Sequence, residues 1–259
     1  MVYAKLFAVL FSREWLVYKK RLRGLFISFL GIRVITFAFQ EGYVKPLMYF
    51  GSSMDRRALM IIGGILIKRV VLRTFDFAYA YFNDMHHQKH IWFQKMAAPS
   101  FLIYITRLCF STCAAYGLMF FFLPIMKIYL WSHLDVSHAH WPLYAVILLC
   151  ITYMITSFSF FCMTVVTTQK GTVAMRLRVS DTLLLIGAFH ATWAAMYSVH
   201  PVWGYIALCS PFTYATESFR HALHSGADLL PLPYAVAGLV VWSALFTFVG
   251  ARIFARRAP

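Results

Sequence analysis

Two groups of residues in this chain have types and spacings that could do chemistry in an apolar setting. The first is the stripe Lys68, Arg69, Arg73 and Asp76, set in the otherwise apolar run 58–81. At about 100° per residue, Arg69, Arg73 and Asp76 fall within about 60° of one another on a helix. Lys68 and Arg69 lie roughly 16 Å inside such a run, near the middle of a ~30 Å hydrocarbon core. Snorkelling does not cover that distance, so these groups must face protein, water or a ligand. Their chemistry would be recognition of an anionic group by charge-assisted donors. The alternative is internal packing, with Asp76 and backbone carbonyls neutralising the cations. The second group is Ser210–Arg220, SPFTYATESFR. Glu217 and Arg220 are three apart and share a helix face. Pro211 suits a first helical turn, and Ser210 before it is a good N-cap.

Metal and nucleophile chemistry is thinner. His86 and His90 have the i, i+4 spacing of a zinc pair, but no acid stands at the next turn. His133, Asp135, His138 and His140 cluster in a short polar stretch. Cys109 and Cys113 are one helical turn apart with no His or acid beside them, and read as small packing residues. His190 stands in the middle of an apolar run and reads as a hydrogen-bonded packing residue. No metal site is expected from any of these. No Ser-His-Asp spacing, paired carboxylates or GxxxxGK[ST] loop is present, so neither a catalytic centre nor an ATPase is expected in this chain. No short apolar core with a cleavage site opens the chain, so no removable signal peptide is expected.

The elements that must position these residues follow from composition. The chain has 259 residues, 61% hydrophobic and 13% charged. Its mean hydropathy is +0.68. A soluble domain is nearer half apolar with about a quarter charged, so an all-α membrane protein is expected. About six spans fit: 24–40, with Arg33 inside it, 58–81, 101–124, 142–166, 182–199 and 234–254. Residues 1–23 read as a basic amphipathic helix on the cytoplasmic surface, and 200–225 as an external re-entrant or interfacial segment. The formal net charge of +15 fits cytoplasmic flanks and anionic headgroups rather than nucleic acid. Lys and Arg concentrate on the side that holds both termini, which is expected to be cytoplasmic.

Just before the last span, Pro211, Phe212, Tyr214, Phe219 and Arg220, with Glu217 among them, resemble the C-terminal signature of type-2 ABC exporter permeases. REWLVYKK, followed by a span and then PLMYFG, is similar to permeases that export lipo-oligosaccharides. Residues 84–98 resemble the family's coupling helix, with histidines where members often carry Glu. The resemblance extends over essentially the whole chain, as one permease domain. It implies a bacterial inner-membrane exporter subunit, paired with a second permease copy and two separate ATPase subunits. ATP and Mg would belong to those partners, with no cofactor in this chain. It implies ATPase contacts at Asp84, His87, His90, Ile91, Trp92 and Lys95. The substrate, an amphipathic and anionic molecule, would pass near Lys68, Arg69, Arg73 and Asp76. Two other classes stay open: an ion-coupled secondary transporter with His190 in its proton relay, and a membrane scaffold that transports nothing.

Overall fold

The computed structural model describes residues 2–28, 54–86, 90–124, 139–189, 191–223 and 229–257. Among these residues the chain is all helical. Three helices are long and apolar enough to cross a membrane: Ser100–Pro124, Trp141–Val165 and Leu232–Arg256. They coincide with three of the expected spans to within two residues. In chain order the helices are α1 (Val2–Ser28), α2 (Met54–His86), α3 (His90–Ala97), α4 (Ser100–Phe120), α5 (Trp141–Val165), α6 (Gln169–Ala174), α7 (Ser180–Ile186), α8 (Trp193–Val199), α9 (Pro201–Leu208), α10 (Pro211–Leu223) and α11 (Leu232–Arg256). A π-helical turn, Met175–Val179, joins α6 to α7.

The central helix is α5, which packs against α2, α4, α10 and α11. Its apolar residues bury against that shell, but it also carries a run of hydroxyls in the interior. These survive there because each bonds a carbonyl one turn back in its own helix, as Thr152 does to Leu148 at 2.6 Å and Thr156 to Thr152 at 2.6 Å. Two hydroxyls also reach across. Ser159 pairs with Thr74 of α2 at 2.9 Å, and Ser157 accepts from Thr247 of α11 at 3.1 Å. Such bonds remain useful in an apolar surround, where bare packing lacks a hydrophobic drive. Helix α11 comes close because Gly238 and Gly250 lack side chains. A Cβ at Gly238 would strike the Tyr214 ring, and one at Gly250 the Tyr104 hydroxyl.

Two expectations change. The run 58–81 lies within α2, which has 33 residues and so extends about 50 Å, well beyond a hydrocarbon core. Its most apolar span-length stretch, 58–75, still holds Lys68, Arg69 and Arg73, so α2 is not among the three span-like helices. The expected span 182–199 is not one helix. A rod runs from Gln169 through the π-turn to Ile186, and α8 starts afresh at Trp193. Between them Ala188 adopts φ 55°, a left-handed conformation that ends a helix. The polar stretch 167–181 between two expected spans is thus largely helical. Residues 29–40 of the first expected span, Arg33 included, lie outside the described residues, as do His87, His133, Asp135, His138 and His190.

Candidate functional site

The Ser210–Arg220 segment forms α10 as its signals require. Pro211 is its first residue, and the Ser210 hydroxyl accepts from the Phe212 N–H at 3.3 Å while donating to the Leu183 carbonyl at 2.8 Å. The sequence suggested a position at the membrane edge. Within the protein, α10 is enclosed between α2, α5, α7 and α11, with Phe219 fully buried against Tyr144. Tyr214 donates to the Leu208 carbonyl at 2.9 Å.

Glu217 and Arg220 form an ion pair at 2.7 Å, with side chains 0% and 2% exposed. The pair's other hydrogen bonds go to backbone beside the break and, from Leu230, to Glu217. Arg220 donates to the carbonyls of Ala191 and Phe189 at 3.0 and 3.2 Å. Glu217 accepts from the N–H of Trp193 at 3.2 Å and of Leu230 at 2.9 Å. The pair therefore ties down the ends of the interrupted 187–192 segment. These bonds hold the fold around the break.

The second ionic centre is open. A cavity of about 260 Å³ lies between α1, α2 and α4, with Glu14, Arg73, Asp76, Asp84 and Arg107 among its lining. Arg107, on α4, is 5% exposed. Its Nη2 donates to Asp84 Oδ2 at 2.8 Å and to Gln94 Oε1 of α3 at 3.4 Å. Its Nε stands 3.3 Å from Glu14 Oε1 of α1, an electrostatic contact without hydrogen-bond alignment. One guanidinium thus joins four helices. Across the cavity, Asp76 stands 3.7 Å from Arg73 and 3.0 Å from Arg176 of the π-turn. Tyr18, Phe77 and Phe110 form part of the wall, which also holds the polar Asn83 and Ser111.

Two of the four stripe residues, Arg73 and Asp76, line this cavity; Lys68 and Arg69 are half-buried on α2 and do not. Asp84, expected at a partner contact, is also a cavity residue. Sequence reasoning left Glu14, Arg107 and Arg176 unassigned. The signal that could have found Arg107 is its place inside a span with no acid three or four residues away, because such a cation must find a partner on another helix.

The other expected contact residues lie on α3. Ile91 is fully buried, and its side chain packs on the core. His90 and Trp92 belong to the same helix. Lys95 lies over the Phe254 ring at 4.1 Å and donates to the Phe254 carbonyl at 3.4 Å, near the C-terminal end of α11. Burial lowers its ammonium pKa to about 8. The outward residues here are Met96, Ala97 and Pro99. Beside this join, Arg257 donates to the Val165 and Val166 carbonyls at the end of α5, at 2.8 and 3.2 Å.

No group of three or more His, Cys, Asp or Glu among the described residues is placed to hold a metal ion. No family model matches the chain, and neither a curated protein nor a solved structure does.

Proposed function

We propose that this chain is the membrane permease subunit of an ATP-driven exporter. It crosses the membrane about six times, with the long α2 and the interrupted 182–199 run counted among the crossings and both termini cytoplasmic, in a bacterial inner membrane. It works with a second permease copy and two separate ATPase subunits, where ATP and Mg bind. The chain itself performs no hydrolysis. Its substrate is an amphipathic molecule, such as a lipid, a lipid-linked saccharide or a drug-like compound.

The observation that carries this reading is the mounting of α3. A short helix is joined to α4 through Gln94 and Arg107, and to α11 through Lys95. Both of those helices are long and apolar enough to span. A push on α3 therefore reaches two spans and the charged cavity through side-chain ties. An ATPase partner would meet the outward Met96–Pro99 end, rather than the inward-facing Ile91. Phe212, Tyr214, Phe219, Glu217 and Arg220 hold the helix before the last span.

The test is affinity purification of the full chain from native membranes, followed by transport in vesicles. Co-purification of an ATPase and ATP-dependent export support the reading. A chain that carries no ATPase and moves solute on an ion gradient would be a secondary transporter instead.

A further inference from the structure

We infer that the α1–α2–α4 cavity receives an organic cation, a small ammonium with apolar substituents, rather than the anion that the stripe of basic residues suggests. This rests on reading the cavity as the place where the transported molecule is met. Three carboxylates, Glu14, Asp76 and Asp84, line it against two guanidiniums, Arg73 and Arg107. The guanidiniums are spent: Arg107 on Asp84, Glu14 and Gln94, and Arg73 against Asp76. Their side chains are 6% and 10% exposed, whereas those of Glu14, Asp84 and Asp76 are 17%, 25% and 39% exposed. Among the charged groups that line the cavity, the carboxylates are therefore more accessible than the guanidiniums, with Arg176 holding Asp76 only from the rim. Asp84 Oδ1 and Glu14 Oε2 receive no hydrogen bond among the described residues.

The apolar wall favours the same sign. The Tyr18 ring lies 5.7 Å from Phe77 and 5.5 Å from Phe110, edge-on to the latter, so the three rings form one cluster beside the carboxylates. Ring faces carry negative quadrupole charge and attract an ammonium, most strongly out of water. An anion would meet those faces and the carboxylates together. The volume, about 260 Å³, is below the ~300 Å³ of drug-sized sites. It suits one substituted ammonium head and leaves any long tail outside.

The experiment is calorimetric titration of the purified full chain in phosphatidylglycerol vesicles. The probes are benzyltrimethylammonium and, for the opposite sign, benzenesulfonate. Tighter binding of the cation is expected. Phe77→Leu keeps bulk but loses the ring, and should weaken the cation by about three- to tenfold. Arg73→Gln removes a positive charge and should tighten the cation. Benzenesulfonate binding as well as the cation, no binding of either, an unchanged Phe77→Leu, or loss of cation binding in a folded Arg73→Gln protein would each overturn the inference. Size-exclusion profiles identify variants that fail to fold; Tyr18→Leu then replaces Phe77→Leu with the same expected loss, and Asp76→Asn, which should weaken the cation, replaces Arg73→Gln. Adding phosphatidylcholine to the vesicles separates two sources. A fall in probe affinity identifies a lipid headgroup as the guest, and no change identifies a soluble cation. Absence of a co-purified ATPase would defeat the transport reading and leave these binding results standing.

Discussion

At α10 the Glu217–Arg220 pair is sealed, bonded to backbone around a break in the chain and to the Leu230 N–H before α11. At the α1–α2–α4 cavity the charges pair across helices, keep part of their surface wet, and border empty volume. Both centres bury arginine. The difference is what happens when a partner is removed. In the sealed centre no water can replace it. In the open one, Glu14 and Asp84 are partly exposed, so solvent can replace a lost partner. Charge type is therefore a poor guide to function here, and the use of the leftover valences is a better one.

The sharpest way to break this contrast is Glu217→Gln. It leaves Arg220 buried without its counter-charge, which costs about 3–5 kcal/mol in comparable pairs. Folded yield and the unfolding midpoint in detergent should both fall steeply. Arg107→Gln should cost less, about 1–3 kcal/mol, because Glu14 and Asp84 can turn to water. Equal losses from the two variants, measured by the same denaturation, would erase the distinction.

Arg176→Ala tests the rim of the open centre. Arg176 and Asp76 are both more than a third exposed, so the loss should stay under about 1 kcal/mol and vanish at high salt. The smallest effect concerns Lys95. Its folded ammonium titrates near 8 against an ordinary 10.5. Between those values the unfolded chain holds more protons, so stability should rise with pH from about 8 to 10.5. Lys95→Met should flatten that slope in denaturation curves taken across the window.

The sequence carried the local devices well. Ser210, Pro211 and the i, i+3 spacing of Glu217 and Arg220 dictate a helix start and an ion pair without help from elsewhere. Apolar runs of span length set α4, α5 and α11. Long-range choices were not legible. Arg107 meets Asp84 from 23 residues away and Glu14 from still further. The 182–199 run breaks because Arg220 captures the Phe189 and Ala191 carbonyls, a tertiary cause that leaves only Gly187 as a local hint. Ile91 was expected at a partner contact from the resemblance alone, and its burial on the core depends on long-range packing that the local pattern does not specify.

The π-turn at Met175–Val179 has a consequence in the currency of insertions and deletions. Both the N–H and the hydroxyl of Ser180 bond the Met175 carbonyl, the latter at 3.1 Å, which holds one surplus residue inside an otherwise regular rod. Deleting Leu177 would let that rod close into plain α-helix from Gln169 to Ile186. Everything on the Gln169 side would then turn by about 100° and withdraw by about 1.5 Å. Arg176 would swing away from Asp76, and Gln169 from the Tyr79 hydroxyl it bonds at 3.0 Å. A shorter chain would make the better helix and lose its phase against α2, so the surplus residue sets the angular register of that rod.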